Sequence, residues 1–482
     1  MIDLRPVIYL NGLFLIGLAA TMAIPAIVDL NVGNEDWIVF AASSGFTLFF
    51  GVAAALATRQ QNIQIDVRQG FLLTTSSWVT LAAFGALPFV FSGLDLSLAD
   101  AYFESMSGLT TTGSTVIVGL DRLPPGLQLW RGVLNFVGGA GLILLAMVVL
   151  PFLRVGGMQL FHSESSDRSE KVVPRLSTVA SATLFIYLTL AITCALLYWF
   201  AGMTGMEAVV HAMASVSTGG FSTSDSSIGF FQSAAVEWIG IAFMLAGALP
   251  FVIYIRLTRG DISVFWKDSQ IRLLFLIVLG SAVALTLWLS LTRDMHWAEA
   301  FRHALFNVTS VVTTTGFVST DYSQWGSFAV TVFFLLTFSG GCTGSTSGGI
   351  KIFRFEILLA RLRVQMAKLV QPHGVFPLQY QGRVVPDDVP AGVIAFIALY
   401  ISCFVILALL LAAMDLDFVT AVSGAATALG NVGPGLGPII GPAGTFQPLP
   451  DAAKWLLAFA MVLGRLELFT FLVLFTPRFW RH

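Results

Sequence analysis

The stretch Thr110-Thr111-Thr112-Gly113 decides how this chain is read, because it recurs. It returns as Ser217-Thr218-Gly219-Gly220-Phe221 and as Thr313-Thr314-Thr315-Gly316-Phe317, then in degraded form as Gly430-Asn431-Val432-Gly433-Pro434. The aligned glycines, Gly113, Gly220, Gly316 and Gly433, lie 107, 96 and 117 residues apart. Each follows a short apolar segment of helical character and precedes a polar stretch and a long apolar run. Internal repetition of this kind sets an architecture more firmly than any single motif. Four copies predict a fourfold arrangement about one axis within a single chain.

The composition is that of a polytopic membrane protein. Of 482 residues, 56% are hydrophobic and 11% charged, where a soluble chain carries about 25% charged residues. Mean hydropathy is +0.84. A net charge of −2 excludes a basic nucleic-acid binder. Cys194, Cys342 and Cys403 are widely spaced in apolar or Gly-rich sequence and form neither a disulfide framework nor a metal-ligand cluster. The apolar run Val7 to Val28 follows a single early Arg5 and lacks an Ala-x-Ala site, so it reads as a retained span rather than a signal peptide.

A bilayer core of roughly 30 Å needs about 20 apolar residues per helix. Spans are expected near 7–29, 36–58, 70–93, 129–153, 176–201, 235–256, 269–292, 327–363, 388–413 and 452–476. Between alternate pairs lie apolar pieces too short to cross, near 98–111, 205–218, 297–314 and 416–430, each ending at one of the four glycines. Most of the 25 basic residues fall in the termini, the loops near 59–69, 154–175 and 257–268, and the segment 351–387. The positive-inside rule therefore sets both termini in the cytoplasm. All four short segments then enter from outside as re-entrant helices.

The expected fold is an all-α polytopic membrane protein with four M1-P-M2 repeats, as in K+ channels, around a pseudo-fourfold pore. Its expected units are a two-helix extension at 1–66 and repeats at 67–157, 174–259, 266–368 and 385–482. Nine residues before each glycine stand Glu104, His211, Asn307 and Gly424, three of them polar in otherwise apolar helices. Asp100, Glu207, Glu299 and Asp417 sit near the start of each short helix, where a carboxylate complements the positive helix end.

Such loops suit a dehydrated cation. Backbone carbonyls replace its water without adding net charge, and glycine turns successive carbonyls inward without a Cβ clash. Thr or Ser before the glycine adds hydroxyl ligands. Irregular backbone at membrane depth survives only where it is buried or lines water. The candidate ion-binding residues are Thr111, Thr112, Gly113, Thr218, Gly219, Gly220, Thr314, Thr315, Gly316, Asn431, Val432 and Gly433.

On these residues the chain resembles the potassium-translocating subunits of the Trk/Ktr/HKT superfamily, the bacterial TrkH family most closely. The resemblance runs from end to end. It is carried by Phe103-Glu104-Ser105 before Thr110-Thr111-Thr112-Gly113, by Gly219-Gly220-Phe221-Ser222-Thr223, and by Thr313 to Phe317. Gly340-Gly341-Cys342-Thr343-Gly344-Ser345-Thr346-Ser347-Gly348-Gly349, Asn431-Val432-Gly433-Pro434-Gly435 and Gly464-Arg465-Leu466-Glu467 complete it. It implies K+ coordination at the four glycines, and a preference for K+ over Na+ that goes with Gly113. The fourth loop departs from the Thr-Thr-Gly pattern.

The eighth span is broken. Residues 339–349 hold five glycines and five hydroxyl residues, Ser339 among the latter, and an interior glycine costs a helix about 0.8–1.0 kcal/mol relative to alanine. The resemblance implies that Gly340, Gly341, Thr343, Gly344, Ser345, Thr346, Ser347, Gly348 and Gly349 form a flexible intramembrane loop that obstructs the pore. Arg465 is the one basic residue expected well inside a span, a functional candidate by default. The resemblance makes it a barrier beneath the filter; it can equally hold the loop through backbone carbonyls. Arg465 and Glu467 point to different helix faces and do not neutralise each other directly.

Other chemistry is excluded or weaker. The run Gly344 to Lys351 fails as a P-loop because Ile350 separates Gly349 from Lys351, and Gly433 to Gly441 lacks the preceding strand of a dinucleotide fingerprint. His211 and His303 read as packed, hydrogen-bonded residues without a relay partner. No catalytic set is present, so no enzyme is expected, and no organic cofactor. K+ is the transported ion. Partners expected from the resemblance are a second copy in a homodimer and a cytosolic, nucleotide-binding RCK-type ring like TrkA; membrane lipid surrounds the chain, and nucleic acid is not a partner. A K+/H+ or K+/Na+ symporter and the potassium-binding subunit of a P-type ATPase are the competing readings.

Overall fold

The computed structural model describes residues 2–60, 65–144 and 172–481. The end of the expected span 129–153 and most of the loop 154–175 lie outside the described residues. Helices α1 (Arg5–Val32) and α2 (Trp37–Ala57) form an antiparallel pair. They touch through glycine: a Cβ on Gly12 would sit 2.8 Å from Gly51 O, the close backbone approach that small residues permit between membrane helices.

The rest repeats one plan. Outer helices α3 (Val67–Gly85), α5 (Pro125–Leu144), α6 (Val172–Phe200), α8 (Ala234–Ala248), α10 (Ser269–Thr292) and α14 (Asp388–Ala412) alternate with short ones. The short ones are α4 (Leu98–Leu109), α7 (Gly205–Val216), α11 (Trp297–Val312) and α15 (Phe418–Gly430). At 1.5 Å per residue a 12-residue helix spans about 18 Å, little more than half a bilayer. Ser97 with Asp100, and Thr204 with Glu207, close capping boxes, and Asp417 accepts from Thr420 N. The early carboxylates are therefore caps in three of four cases; Glu299 sits in the first turn of α11 without such a bond.

Among the described residues, seven helices are long and apolar enough to cross a membrane, and two further pairs qualify only as bent spans. Those bends correct two expected straight spans. The helix expected at 235–256 turns by 98° between α8 and α9 (Phe251–Leu257). Pro250 supplies no N–H, so the helical ladder ends before it. The helix expected at 452–476 turns by 107° after α16 (Asp451–Arg465). Glu467 and Leu468 take left-handed φ of 62° and 43° there, a costly conformation for side-chain-bearing residues. The broken eighth span consists of α12 (Ser327–Leu336), the glycine-rich loop, and α13 (Ile352–Val370).

Three outer helices press a glycine onto the last turn of a short helix. A Cβ on Gly138 would lie 1.8 Å from Leu109 O, one on Gly247 2.6 Å from Val216 O, and one on Gly464 1.9 Å from Leu429 O. Leu109, Val216 and Leu429 are register equivalents, each four residues before its loop glycine. Gly138→Ala and Gly464→Ala are therefore expected to destabilise the protein by about 1–3 kcal/mol, the usual cost of overpacking. Gly45, with nothing within 4 Å, is the opposite case: Gly45→Ala should raise stability by roughly 0.5–1 kcal/mol through helix propensity. Thermal unfolding in detergent micelles separates the two signs.

Candidate ion pathway

All four loops have one backbone. Thr111, Thr218, Thr314 and Asn431 take left-handed φ of 51°, 51°, 58° and 54°. Gly113, Gly220, Gly316 and Gly433 follow at 85°, 73°, 85° and 111°. The residue between them donates to the helix behind: Thr112 N to Ser107 O, Gly219 N to Ala214 O, Thr315 N to Ser310 O, each 2.8 Å, and Val432 N to Thr427 O, 3.0 Å. The degraded fourth copy thus folds as the other three do, with Asn431 in the left-handed place where asparagine is tolerated.

The loops close into a ring. The absent Cβ of Gly113 would lie 2.6 Å from Gly219 O, that of Gly220 1.8 Å from Thr315 O, that of Gly316 2.2 Å from Val432 O, and that of Gly433 2.8 Å from Thr112 O. Each quadrant touches the next, and the fourth returns to the first. All four glycines line one cavity open to solvent. The C-terminal ends of the four short helices abut the ring, so their negative poles favour a cation there.

Hydroxyl groups divide into two sets. Those of Thr112 and Thr315 are taken by Thr110 and Thr313 at 2.8 and 2.7 Å, and Asn431 Nδ2 donates to Thr112 Oγ1 at 3.0 Å. Thr111 Oγ1 is buried without a partner among the described residues. The polar residues nine positions before each glycine brace the segment after it. Glu104 accepts from Val116 N at 2.9 Å, His211 Nε2 meets Ser222 Oγ at 2.9 Å, and Asn307 Nδ2 donates to Ser319 Oγ at 2.9 Å. Ser423 does this in the fourth quadrant, accepting from Leu436 N at 2.9 Å.

The glycine-rich loop lies directly against the inner side of this ring. Thr346 Oγ1 contacts Val216 O (3.1 Å), Gly247 O (2.9 Å) and Thr218 Oγ1 (3.2 Å). Gly348 N donates to Thr314 Oγ1 at 2.7 Å. A Cβ on Gly348 would meet Gly430 O at 2.7 Å. Three of the four quadrants are therefore touched by residues 346–348. The loop also fills the break in α8–α9: Cys342 N donates to Ala248 O, Thr346 N to Gly247 O, and Phe251 N to Gly344 O, at 3.0–3.1 Å. Ser339 and Ile350 form an isolated parallel bridge at its neck.

Arg465 is buried, 2% exposed, and its Nη1 donates to Thr346 O at 3.0 Å. Glu467 turns away and pairs instead with Arg354, whose guanidinium lies 3.6 Å over the Phe396 ring. Lys351 Nζ donates to Ser347 O. Lys351 and Arg354, from the basic segment 351–387, and Arg131, near the start of the span expected at 129–153, are 7%, 0% and 1% exposed, so all three are interior. His303 is packed and hydrogen-bonded, its Nδ1 3.3 Å from Ser319 Oγ, but unlike the expectation it has titratable neighbours, Glu237 at 3.5 Å and Glu299 one helical turn back at 3.7 Å. His211 is packed and hydrogen-bonded at both ring nitrogens.

Four short helices aimed at one ring, with longer apolar helices outside and an irregular loop against it, define a membrane transport protein. A family model described as "TrkH: Cation transport protein" matches residues 38–482, and the chain belongs to that family. It is 47% identical over 478 residues to the Trk system potassium uptake protein TrkI of Halomonas elongata, covering 99% of this chain and 97% of that protein. It is 36% identical to the Trk system potassium uptake protein TrkH of Escherichia coli K12, with 99% of each covered. The crystal structure of the potassium transporter TrkH from Vibrio parahaemolyticus superposes with a TM-score of 0.92 at 36% identity, covering 100% of both chains. The all-α polytopic fold is thus that of TrkH.

Gly220 is the tightest point of the ring. Gly220→Ala sets a methyl 1.8 Å from Thr315 O on backbone at φ +73° and is expected to abolish cation flux into proteoliposomes. Gly260→Ala, at φ +87° with nothing within 4 Å, should cost only about 1–2 kcal/mol of local strain and leave flux near that of the unaltered protein.

Proposed function

We propose that this chain is the K+-translocating subunit of a Trk-type uptake system in the bacterial inner membrane, with both termini cytoplasmic. Residues 67–157, 174–259, 266–368 and 385–482 are its four pore units, preceded by the extension 1–66. K+ passes down its electrochemical gradient through a filter of Thr111, Thr112, Gly113, Thr218, Gly219, Gly220, Thr314, Thr315, Gly316, Asn431, Val432 and Gly433. Main-chain oxygens replace its hydration shell. The observation that carries this reading is the closed contact of four glycine-bearing loops around one cavity. The names of the relatives, potassium uptake proteins, agree with the ion.

The loop 340–349 and Arg465 act as the gate. The loop's position against three quadrants supports this, as does the bond from Arg465 to Thr346 O. A guanidinium near the path adds a Coulomb barrier for a cation and, through Thr346, holds the loop in place. The two roles of Arg465 thus coexist. A homodimer in lipid and a cytosolic nucleotide-binding RCK-type ring, docked on the basic segment 351–387, complete the system.

Liposome flux driven by a membrane potential alone, without a pH or Na+ gradient, tests the channel reading against a symporter: K+ entry is expected, and its absence overturns the reading. Gly113→Ser should lower the K+/Na+ permeability ratio roughly tenfold by changing oxygen geometry in one quadrant. An unchanged ratio removes the filter assignment.

Arg465→Ala should raise K+ flux roughly tenfold by removing a buried positive charge. Thr346→Val removes the hydroxyl that donates to the carbonyls of Gly247 and Val216, a bond worth about 0.5–1.5 kcal/mol, and should also raise flux. Unaltered flux in both variants would leave the loop a structural plug filler and not a gate.

A further inference from the structure

Of the four positions nine residues before the loop glycines, only the first is charged: Glu104, against His211, Asn307 and Gly424. Its carboxylate is fully buried. Thr115 Oγ1 donates to it at 3.0 Å and Val116 N at 2.9 Å, both from the segment just past Gly113. Arg131 Nε, on α5, donates to it at 2.8 Å.

Arg131 reaches the next quadrant with the rest of its fork. Its Nη1 donates to Ser222 O at 2.6 Å, and its guanidinium carbon lies 4.1 Å from the centre of the Phe221 ring. Phe221 and Ser222 directly follow Gly220. One buried ion pair therefore grips the exits of the first and second loops at once. Ser222 also carries the bond to His211, so the chain of contacts runs on into the second short helix.

We propose that Glu104 and Arg131 are a specificity-determining positioning pair that sets the separation of Gly113 from Gly220. This rests on the filter reading above. Neither side chain need touch the ion. Discrimination between two monovalent cations depends on how firmly the ring of oxygens is held, and charge-assisted bonds are shorter and more directional than neutral ones. A planar guanidinium can serve the carboxylate and the Ser222 carbonyl together, which an ammonium group cannot do in the same geometry. Removing one member leaves the other charge buried and unpaired, free to draw its loop out of register.

The pair is tested by K+ and Na+ fluxes into proteoliposomes at a fixed membrane potential, for Glu104→Gln, Arg131→Lys and Thr115→Val. Thr115→Val deletes one hydroxyl and keeps the ion pair, so it reports even where the charge variants do not accumulate. The K+/Na+ ratio is expected to fall roughly tenfold in the first two and roughly threefold in the third, in proportion to the bonds lost. K+ flux itself should change less than the ratio, which a merely structural role in folding would not produce. A ratio within about twofold of the unaltered protein in every variant that folds, where Gly113→Ser lowers it, overturns the inference and spares the filter. If Gly113→Ser leaves the ratio unchanged as well, both fall together.

Discussion

Four peptide loops can meet at one point because no Cβ stands between them. At Gly113, Gly220, Gly316 and Gly433 the place of the missing methyl is filled by a carbonyl of the neighbouring loop, between 1.8 and 2.8 Å from where the carbon would sit. The same four residues take positive φ, and each follows a left-handed residue two places earlier. Both demands, space and conformation, select glycine. Every other feature of the centre serves to hold that backbone: the short helices that end on it, the residues nine positions back that tie down its exit, and Ser114 Oγ, which donates to Gly433 O at 2.7 Å and joins the first quadrant to the last.

The irregular backbone beneath the ring obeys the rule that polar groups in a membrane must find partners inside the protein. Two discontinuities solve this for each other. Pro250 ends one helix and leaves the carbonyls of Gly247 and Ala248 without helical donors; the N–H groups of Thr346 and Cys342, which belong to no helix, take them. Small side chains are required on the loop because its backbone lies against other backbone: a Cβ on Gly340 would meet Gly348 O at 2.2 Å. A bulky residue at Gly340, Gly341, Gly348 or Gly349 would push the loop off its neighbours, whereas Gly344 has nothing within 4 Å.

Much of this is written in local pattern. The repeat of hydroxyl and glycine, the non-crossing length of the segments before it, and the polar residues at Glu104, His211 and Asn307 are all visible in one dimension, since each depends on spacing along a single helix or turn. The bend at Pro250 has a local mark, a residue without an N–H for the helical ladder, although hydropathy alone ran a straight span through it and α1 continues through Pro25. The bend at Glu467 and Leu468 carries no such mark. Neither residue favours a left-handed backbone, and at that turn Glu467 pairs with Arg354 on a distant segment.

Charge was where spacing misled. Arg131, Lys351 and Arg354 flank apolar runs, and a tally of basic residues by side treats them as facing water. Whether a side chain at a helix end turns outward or inward depends on partners far away in the sequence: Ser222 for Arg131 is 91 residues on, and Glu467 for Arg354 is 113. The sequence by itself determined the number of quadrants, their glycines and their shared local backbone, because those follow from short-range sterics repeated four times. Only the tertiary structure decided which quadrants are joined by an ion pair, where the outer helices bend and what the glycine-rich loop rests on, because those contacts are made between segments that no periodicity relates.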